Sequence, residues 1–339
     1  MRYRYIGNSG LRVSPLGIGS MTFGTNATKE ETFKILDKSY DNGINLLDTA
    51  EMYPSPVSAE TAGISESWIG EWLKTKPRDS IILATKVTGA ANGWFVPPMR
   101  HGMTALDSFH IKRAIEGSLK RLGTDYIDLY QTHWPDTLIP IEETLRALDD
   151  LVKEGKVRYI GTSNDTTYGL VKANEISKYN NLTRFQSIQN NFSLNNPRFL
   201  DELSTVCQKE QISLLAYSPM GGGVLSGKYN GNKRPQDGRY TYHFSSQYQR
   251  EREMAKRFVN EKTMAATARY IELANSIGIS STTLSIAWVL SFNFVAAALT
   301  SARYSHQLDD TIAAMSIDLD QSILDEIKKI QQDILYPMG

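Results

Sequence analysis

The stretch Asn45-Leu-Leu-Asp-Thr-Ala-Glu-Met-Tyr53 runs two leucines into Asp48 and then reaches Tyr53 along a connection. It reads as a short buried strand that delivers a carboxylate and a phenol to its C-terminal edge. Two runs of the same kind follow, Ile81-Ile-Leu-Ala-Thr-Lys86 and Ile127-Asp-Leu-Tyr-Gln-Thr-His133, each ending in a titratable side chain. Asp, Tyr, Lys and His at successive strand ends are the parts needed to move a proton.

Outward from this stretch the chain alternates. Upstream, residues 2–13 alternate around Asn8-Ser9-Gly10 and predict a small hairpin that caps something. Residues 14–19 form an apolar strand, and Thr28-Lys-Glu-Glu31 has the form of a capping box opening a helix that stops at Asn42-Gly43. Downstream, helices are expected over 65–74, 108–122, 140–155, 166–178, 198–208, 261–277 and 282–292, and from about His306. Strands are expected over 80–87, 126–133, 157–161, 185–189, 212–217 and 295–300. Eight strand-helix units in unbroken alternation imply a parallel sheet closed into an α/β (β/α)8 TIM barrel, with the N-terminal hairpin as a cap and additional C-terminal helices. No composition break marks a linker, so residues 1–339 read as a single domain. Two connections, 88–107 and 220–260, are longer than ordinary ones, and a last helix is expected over 321–332.

Composition narrows the function. The chain has 37 acidic and 37 basic residues and no cationic cluster, which argues against nucleic acid as a partner. A lone cysteine, Cys207, excludes an internal disulfide and a cysteine-based metal site. The N-terminal Met-Arg-Tyr-Arg-Tyr lacks the apolar core of a signal peptide, so a cytoplasmic protein is expected. Residues 273–302 carry no charge, a length that raises the question of a membrane span. Seven Ser, Thr and Asn residues from Ser280 to Asn293 interrupt it, and the reading is a buried helix ending near Phe292 followed by a strand, with no membrane partner.

In a barrel the chemistry collects where the strands end, and the residues there are Asp48, Lys86, His133, Ser163 with Asn164, Gln189, Tyr217 and Arg303. Reducing a carbonyl leaves charge on oxygen, so an acid must supply a proton as that charge develops. A tyrosine of pKa about 10 is a reluctant donor. A lysine ammonium about 4 Å away, at an effective dielectric near 20, would favour tyrosinate by on the order of 4 kcal/mol, roughly three pKa units. On this reading Lys86 lowers the Tyr53 pKa, Asp48 holds Lys86 charged, and His133 positions the substrate or relays a proton. No metal is expected, because Lys86 beside Asp48 and His133 would repel a cation.

Asp48-Thr-Ala-Glu-Met-Tyr53, Ala84-Thr-Lys86, Gln131-Thr-His133, Gly161-Thr-Ser-Asn164 and Tyr217-Ser-Pro-Met-Gly-Gly-Gly223, in this order, resemble the aldo-keto reductases across nearly the whole chain. The Glu-Met before Tyr53 and the insertion up to Ser65 are most similar to the bacterial Tas-like branch. The resemblance implies a (β/α)8 barrel that binds NADPH in extended form and reduces aldehydes or ketones, with Asp48, Tyr53, Lys86 and His133 as catalytic tetrad. It further implies that Ser163, Asn164 and Gln189 meet the nicotinamide carboxamide and that Tyr217 stacks on the ring. Ser20, Met21 and Asp48 join these cofactor contacts. Ser218, Pro219, Met220, Gly221 and Gly222, with Lys228 and Arg239, resemble the loop over the pyrophosphate. Ser301, Arg303, Gln307, Asp310 and Thr311 resemble the segment at the adenosine end, where Arg303 and Gln307 would grip a 2′-phosphate. Ser301 and Thr311 depart from the usual glycine and asparagine there.

Met21, Trp94, Phe95, Trp134, Tyr240 and Tyr242 are expected at the substrate mouth, a lining suited to flat or apolar carbonyl compounds. A rival reading is an NADPH-binding regulatory or sensor subunit, since the β subunits of voltage-gated potassium channels resemble the same family. Those typically carry asparagine where this chain keeps His133. Nothing in the sequence fixes an oligomeric state.

Overall fold

In the computed structural model, which describes residues 2–91, 96–236 and 238–338, the strand-helix alternation closes on itself. A two-residue hairpin pair, β1 (Arg4–Tyr5) and β2 (Arg12–Val13), comes first, then β3 (Leu16–Gly19), α1 (Lys29–Asp41), β4 (Leu46–Asp48), α2 (Ile64–Leu73) and β5 (Ile82–Val87). There follow α3 (Ser108–Leu122), β6 (Ile127–Thr132), α4 (Ile141–Lys153), β7 (Val157–Ser163), α5 (Thr167–Tyr179), β8 (Phe185–Asn191), α6 (Leu203–Glu210) and β9 (Ser213–Tyr217). The chain ends with α7 (Arg239–Phe244), α8 (Gln249–Phe258), α9 (Glu261–Ser276), α10 (Ser281–Leu290), β10 (Val295–Thr300), α11 (Asp309–Ala313) and α12 (Gln321–Asp333). Strands β3 to β10 form one closed parallel barrel in which the first pairs with the last, Leu16 opposite Ala298. The expected fold is the observed one.

Side chains alternate along each strand, so the barrel has two apolar layers. Outward residues such as Leu47, Leu83 and Ile188 pack under the helices. Inward residues Leu46, Ile82, Ala84, Leu129, Leu215 and Leu299 fill the bore together with Ile6, Leu11 and Val13 of the hairpin. Gly17 belongs there because a Cβ on it would stand 2.8 Å from Leu299 Cδ2 and 2.9 Å from Leu46 Cδ2. Arg4 seats the hairpin by donating to the carbonyls of Leu290 and Val295, both at 2.7 Å. The expected cap therefore plugs the N-terminal end of the barrel and leaves the C-terminal rim for the site.

Helix starts follow their caps. Asp107, Thr166, Asn260 and Ser280 each accept from a backbone N–H in the first turn of the helix they precede. At Thr28 the box is half made: its hydroxyl accepts from Glu31 N–H, but the Glu31 carboxylate turns to Lys34 and to the Ser305 N–H, tying α1 to the exit of β10. The segment expected as one helix over 198–208 is a short 3-10 turn, Arg198–Leu200, then α6. The connection 220–260 is not a plain loop. It contains α7 and α8, which close over a small core of Val224, Tyr229, Tyr240, Ala255 and Val259.

Residues Thr283 to Leu290 of α10 are all buried against the barrel. Among the described residues no single helix is long and apolar enough to cross a membrane; α9 and α10 pass that test only together, and the chain bends by 93° between them.

Helices α2 and α3 approach closely at Gly70, where a Cβ would lie 2.4 Å from the Arg121 carbonyl oxygen. Backbone cannot yield as a side chain can. Gly70→Ala is expected to cost about 1–3 kcal/mol by overpacking, read as a lower urea midpoint at unchanged slope.

Candidate active site

Strand pairing puts Asp48 beside Ala84 and Lys86 beside Gln131, so adjacent strand ends hold the charged pair. Lys86 Nζ donates to Asp48 Oδ1 at 2.5 Å and to the Thr49 carbonyl at 2.8 Å, and both side chains are buried. The other carboxylate oxygen accepts from Gln189 Nε2 at 2.8 Å and from Gln131 Nε2 at 3.1 Å. A buried ion pair persists only when its remaining lone pairs and protons are satisfied in this way. Burial lowers the Lys86 pKa and the Asp48 charge works against that.

Tyr53 leaves β4 by a turn closed by its own N–H to Ala50, and its hydroxyl stands 3.4 Å from His133 Nε2. Lys86 Nζ lies 5.1 Å from the centroid of the Tyr53 ring. The expected depression of the Tyr53 pKa does not appear. Burial raises it, the Asp48 charge raises it further, and Arg239 pulls the other way. The physical reason is burial first; in addition the Lys86 ammonium is engaged by Asp48, whose own charge disfavours tyrosinate, so the phenol does not meet a bare cation. Tyr53 is thus protonated throughout the neutral range.

Burial, reinforced by Lys86, holds the His133 pKa well below the ordinary 6.5, so the imidazole is neutral. In the unfolded chain it gains a proton as the pH falls through about 6.5, and in the folded chain it does not. Folding stability therefore declines on acidification below about 6.5, by at most about 1.4 kcal/mol per pH unit from this group. His133→Asn should flatten that slope between about pH 7.5 and about pH 5.5 in denaturant titrations. Part of the slope remains with His243, which burial holds down at about 4.

A cavity of about 670 Å³ opens from this corner along the rim. Asp48, Tyr53 and His133 form one end with Met21; Ser163, Asn164, Gln189 and Tyr217 follow. Next come Ser218, Pro219, Met220, Gly222, Lys228 and Arg239, and the far end is lined by Ser301, Arg303, Gln307, Asp310 and Thr311. Most residues singled out in the sequence thus share one wall. A shallower depression of about 830 Å³ near Asp107, Lys112 and Glu143 lies on the outer helices and gathers no comparable set.

The rim is internally bonded. Ser163 Oγ and the Asn164 N–H both donate to the Gln189 carbonyl, at 2.8 and 3.0 Å. Asn164 Nδ2 donates to the His133 carbonyl at 2.9 Å, and the Tyr217 hydroxyl donates to Asn164 Oδ1 at 2.8 Å. Gln189 spends its amide on Asp48, a partner the sequence did not suggest.

Several expected residues are elsewhere. Ser20 is fully buried, its hydroxyl has no partner among the described residues, and it is absent from the cavity wall. Gly221 is likewise buried behind the wall. Trp134 packs beside Tyr53 and donates from Nε1 to the Ala90 carbonyl at 2.9 Å, off the cavity itself. Tyr240 lies inside the α7–α8 core, stacked on Phe258, and Tyr242 is exposed on the outside, so neither lines the mouth. Trp94 and Phe95 lie outside the described residues.

Sequence reasoning missed Met254, Arg257 and Phe258, which α8 brings to the wall, and Asn26 and Thr282. Only the charge of α8 hinted at a ligand-facing helix. No group of three or more His, Cys, Asp or Glu gathers for a metal among the described residues.

The model of the aldo/keto reductase family matches residues 15–332. The chain belongs to the aldo/keto reductase family. It is 37% identical to the protein tas of Escherichia coli over 99% of both chains. An uncharacterized oxidoreductase of Bacillus subtilis, YrpG, is 34% identical over 96% of this chain and 94% of its own. A probable voltage-gated potassium channel subunit beta of Oryza sativa is 28% identical over 98% and 97%. As an aldo/keto reductase the chain is a carbonyl-reducing oxidoreductase acting on small molecules, in a family that generally uses nicotinamide cofactors.

Proposed function

We propose that this aldo/keto reductase is an NADPH-dependent reductase of aldehydes and ketones with Tyr53 as general acid. The observation that carries the reading is the meeting of the Tyr53 hydroxyl, His133 Nε2 and the Lys86–Asp48 pair at one end of a cavity whose other walls carry cations.

The donor set fits a dinucleotide phosphate. Lys228, Arg239 and Arg257 face the middle of the cavity, where a pyrophosphate needs positive charge. Gly222 and Gly223, at φ 63° and 94°, turn the backbone of that wall. At the far end Gln307 Oε1 accepts from the N–H groups of Arg303 and Tyr304, at 2.9 and 3.2 Å. Gln307 thereby shapes the loop, and Arg303 supplies the charge for a 2′-phosphate, which favours NADPH over NADH.

When bound, the dinucleotide supplies the hydride. Tyr53 gives its proton to the carbonyl oxygen as negative charge builds there. Neutral His133 keeps that oxygen and the phenol within one hydrogen-bonded group. Lys86, 5.1 Å from the phenol ring, offsets the tyrosinate that remains by on the order of 3 kcal/mol at an effective dielectric near 20. Asp48 fixes the ammonium in place and takes back part of that gain. Met21, with the Met52, Met99 and Trp134 cluster around Tyr53, favours apolar carbonyl compounds.

Consumption of NADPH and of NADH, followed by absorbance with a panel of aromatic and aliphatic aldehydes and ketones, tests the reading. Turnover that prefers NADPH is expected. Tight NADPH binding with no turnover of any carbonyl would overturn it in favour of a regulatory or sensor subunit; the rice relative is named as a channel subunit.

A further inference from the structure

Glu51 stands two residues before Tyr53, and the chemistry proposed above makes no use of it. Its side chain is 3% exposed. Oε1 accepts from the Thr88 N–H at 2.7 Å and from Arg100 Nη2 at 2.8 Å, and Oε2 accepts from Arg100 Nη1 at 2.7 Å. The Glu51 N–H donates to the Lys86 carbonyl at 3.2 Å. One residue thus joins the turn that carries Tyr53, the end of β5 that carries Lys86, and the long connection between β5 and α3.

That connection needs holding. Arg100 and His101 sit at φ 50° and 56°, left-handed conformations that persist only when the surroundings impose them. Arg100 Nε is buried without a partner among the described residues, so the fork to Glu51 is the hydrogen-bonded hold on this side chain. Met99, next in the chain, packs in the cluster of Met52, Tyr53 and Trp134. Desolvating a carboxylate and a guanidinium is costly, and an apolar pair would bind the loop as firmly. A two-point fork adds a fixed angle. None of Glu51, Met99 and Arg100 lies on the dinucleotide wall.

We propose that Glu51 is a positioning residue: through Arg100 it sets the height and angle of residues 96–106 over Tyr53, and so governs the carbonyl substrate rather than the cofactor. The proposal rests on Tyr53 being the proton donor.

The test compares wild type with Arg100→Lys, which keeps the charge and loses the fork, and Arg100→Met, which loses both. Three quantities are read: KM and kcat for a carbonyl substrate, NADPH Kd by fluorescence, and hydrogen exchange over residues 96–106. In Arg100→Lys, kcat/KM should fall by about 10- to 100-fold, chiefly through KM, with NADPH Kd unchanged. Exchange over 96–106 should quicken while the barrel strands keep their protection, and Arg100→Met should go further on each measure. Unchanged exchange and unchanged KM in both variants would overturn the proposal. So would NADPH Kd weakening in step with KM, which marks a general structural role. If the wild type turns over no carbonyl, the reading of Tyr53 fails by itself, and exchange over 96–106 still decides whether the fork holds the loop.

Discussion

Tyr53→Phe is expected to leave the barrel folded and NADPH bound while kcat falls by about 10²- to 10⁴-fold, the contribution of one well-placed proton donor. The ring stays in its cluster with Ala50, Met52 and Trp134, so packing is kept. The hydroxyl that is lost has one hydrogen-bond partner among the described residues, His133 at 3.4 Å, and losing it costs about 1 kcal/mol or less. No neighbour replaces it: His133 is held neutral, and Lys86 is engaged by Asp48. Steady-state turnover beside NADPH Kd is the check. A Tyr53→Phe enzyme within a few-fold of wild type would remove Tyr53 from its assigned part.

Lys86→Met should act on stability and turnover together. It strands the Asp48 carboxylate, 2% exposed, with only the two glutamine amides as donors among the described residues. Breaking a buried pair by removing one partner costs about 3–5 kcal/mol, enough to move a urea midpoint far outside error. A double change, Lys86→Met with Asp48→Leu, removes both charges and should regain much of that stability. It should not regain turnover, because the ammonium beside the Tyr53 ring is gone. If the double variant were as unstable as the single one, packing rather than an unpaired charge would be the cause. If it turned carbonyl over at the wild-type rate, Lys86 would have no part in the chemistry.

The barrel was legible because its strands announce themselves: apolar runs such as 16–19 and 81–84, each followed by a helix that starts at a capping residue and stops near glycine. The corner of Asp48, Tyr53, Lys86 and His133 followed from the rule that parallel strands deliver their last residues to one rim. What sequence could not give was competition for partners. Gln189 carries the same amide whether it turns to a ligand or to Asp48, and only the fold brings Asp48 within 2.8 Å. The Tyr53 pKa rises instead of falling because burial, which a strand end does not reveal in sequence, raises it, and the Asp48 charge that pairs with Lys86 raises it further. Helix α8 escaped because Gln-Arg-Glu-Arg-Glu-Met-Ala-Lys-Arg has hardly an apolar face, and its burial of Ala255 depends on Tyr240 and Val224 from elsewhere. Ser20 was misplaced because one residue along a strand end decides which side of the wall a side chain takes.

Arg4 leaves the ribosome 286 residues ahead of Leu290, one of the carbonyls that receive it. The same delay holds for β3, whose hydrogen-bonded neighbour on one side is β10. A chain that stops short of β10 leaves Leu16–Gly19 without its neighbour on that side, and the barrel open. Such edges recruit other strands. A premature stop anywhere before Val295 should yield not a weak enzyme but an aggregating fragment, and translation of the last strand becomes the moment at which the molecule turns from a hazard to its neighbours into a catalyst.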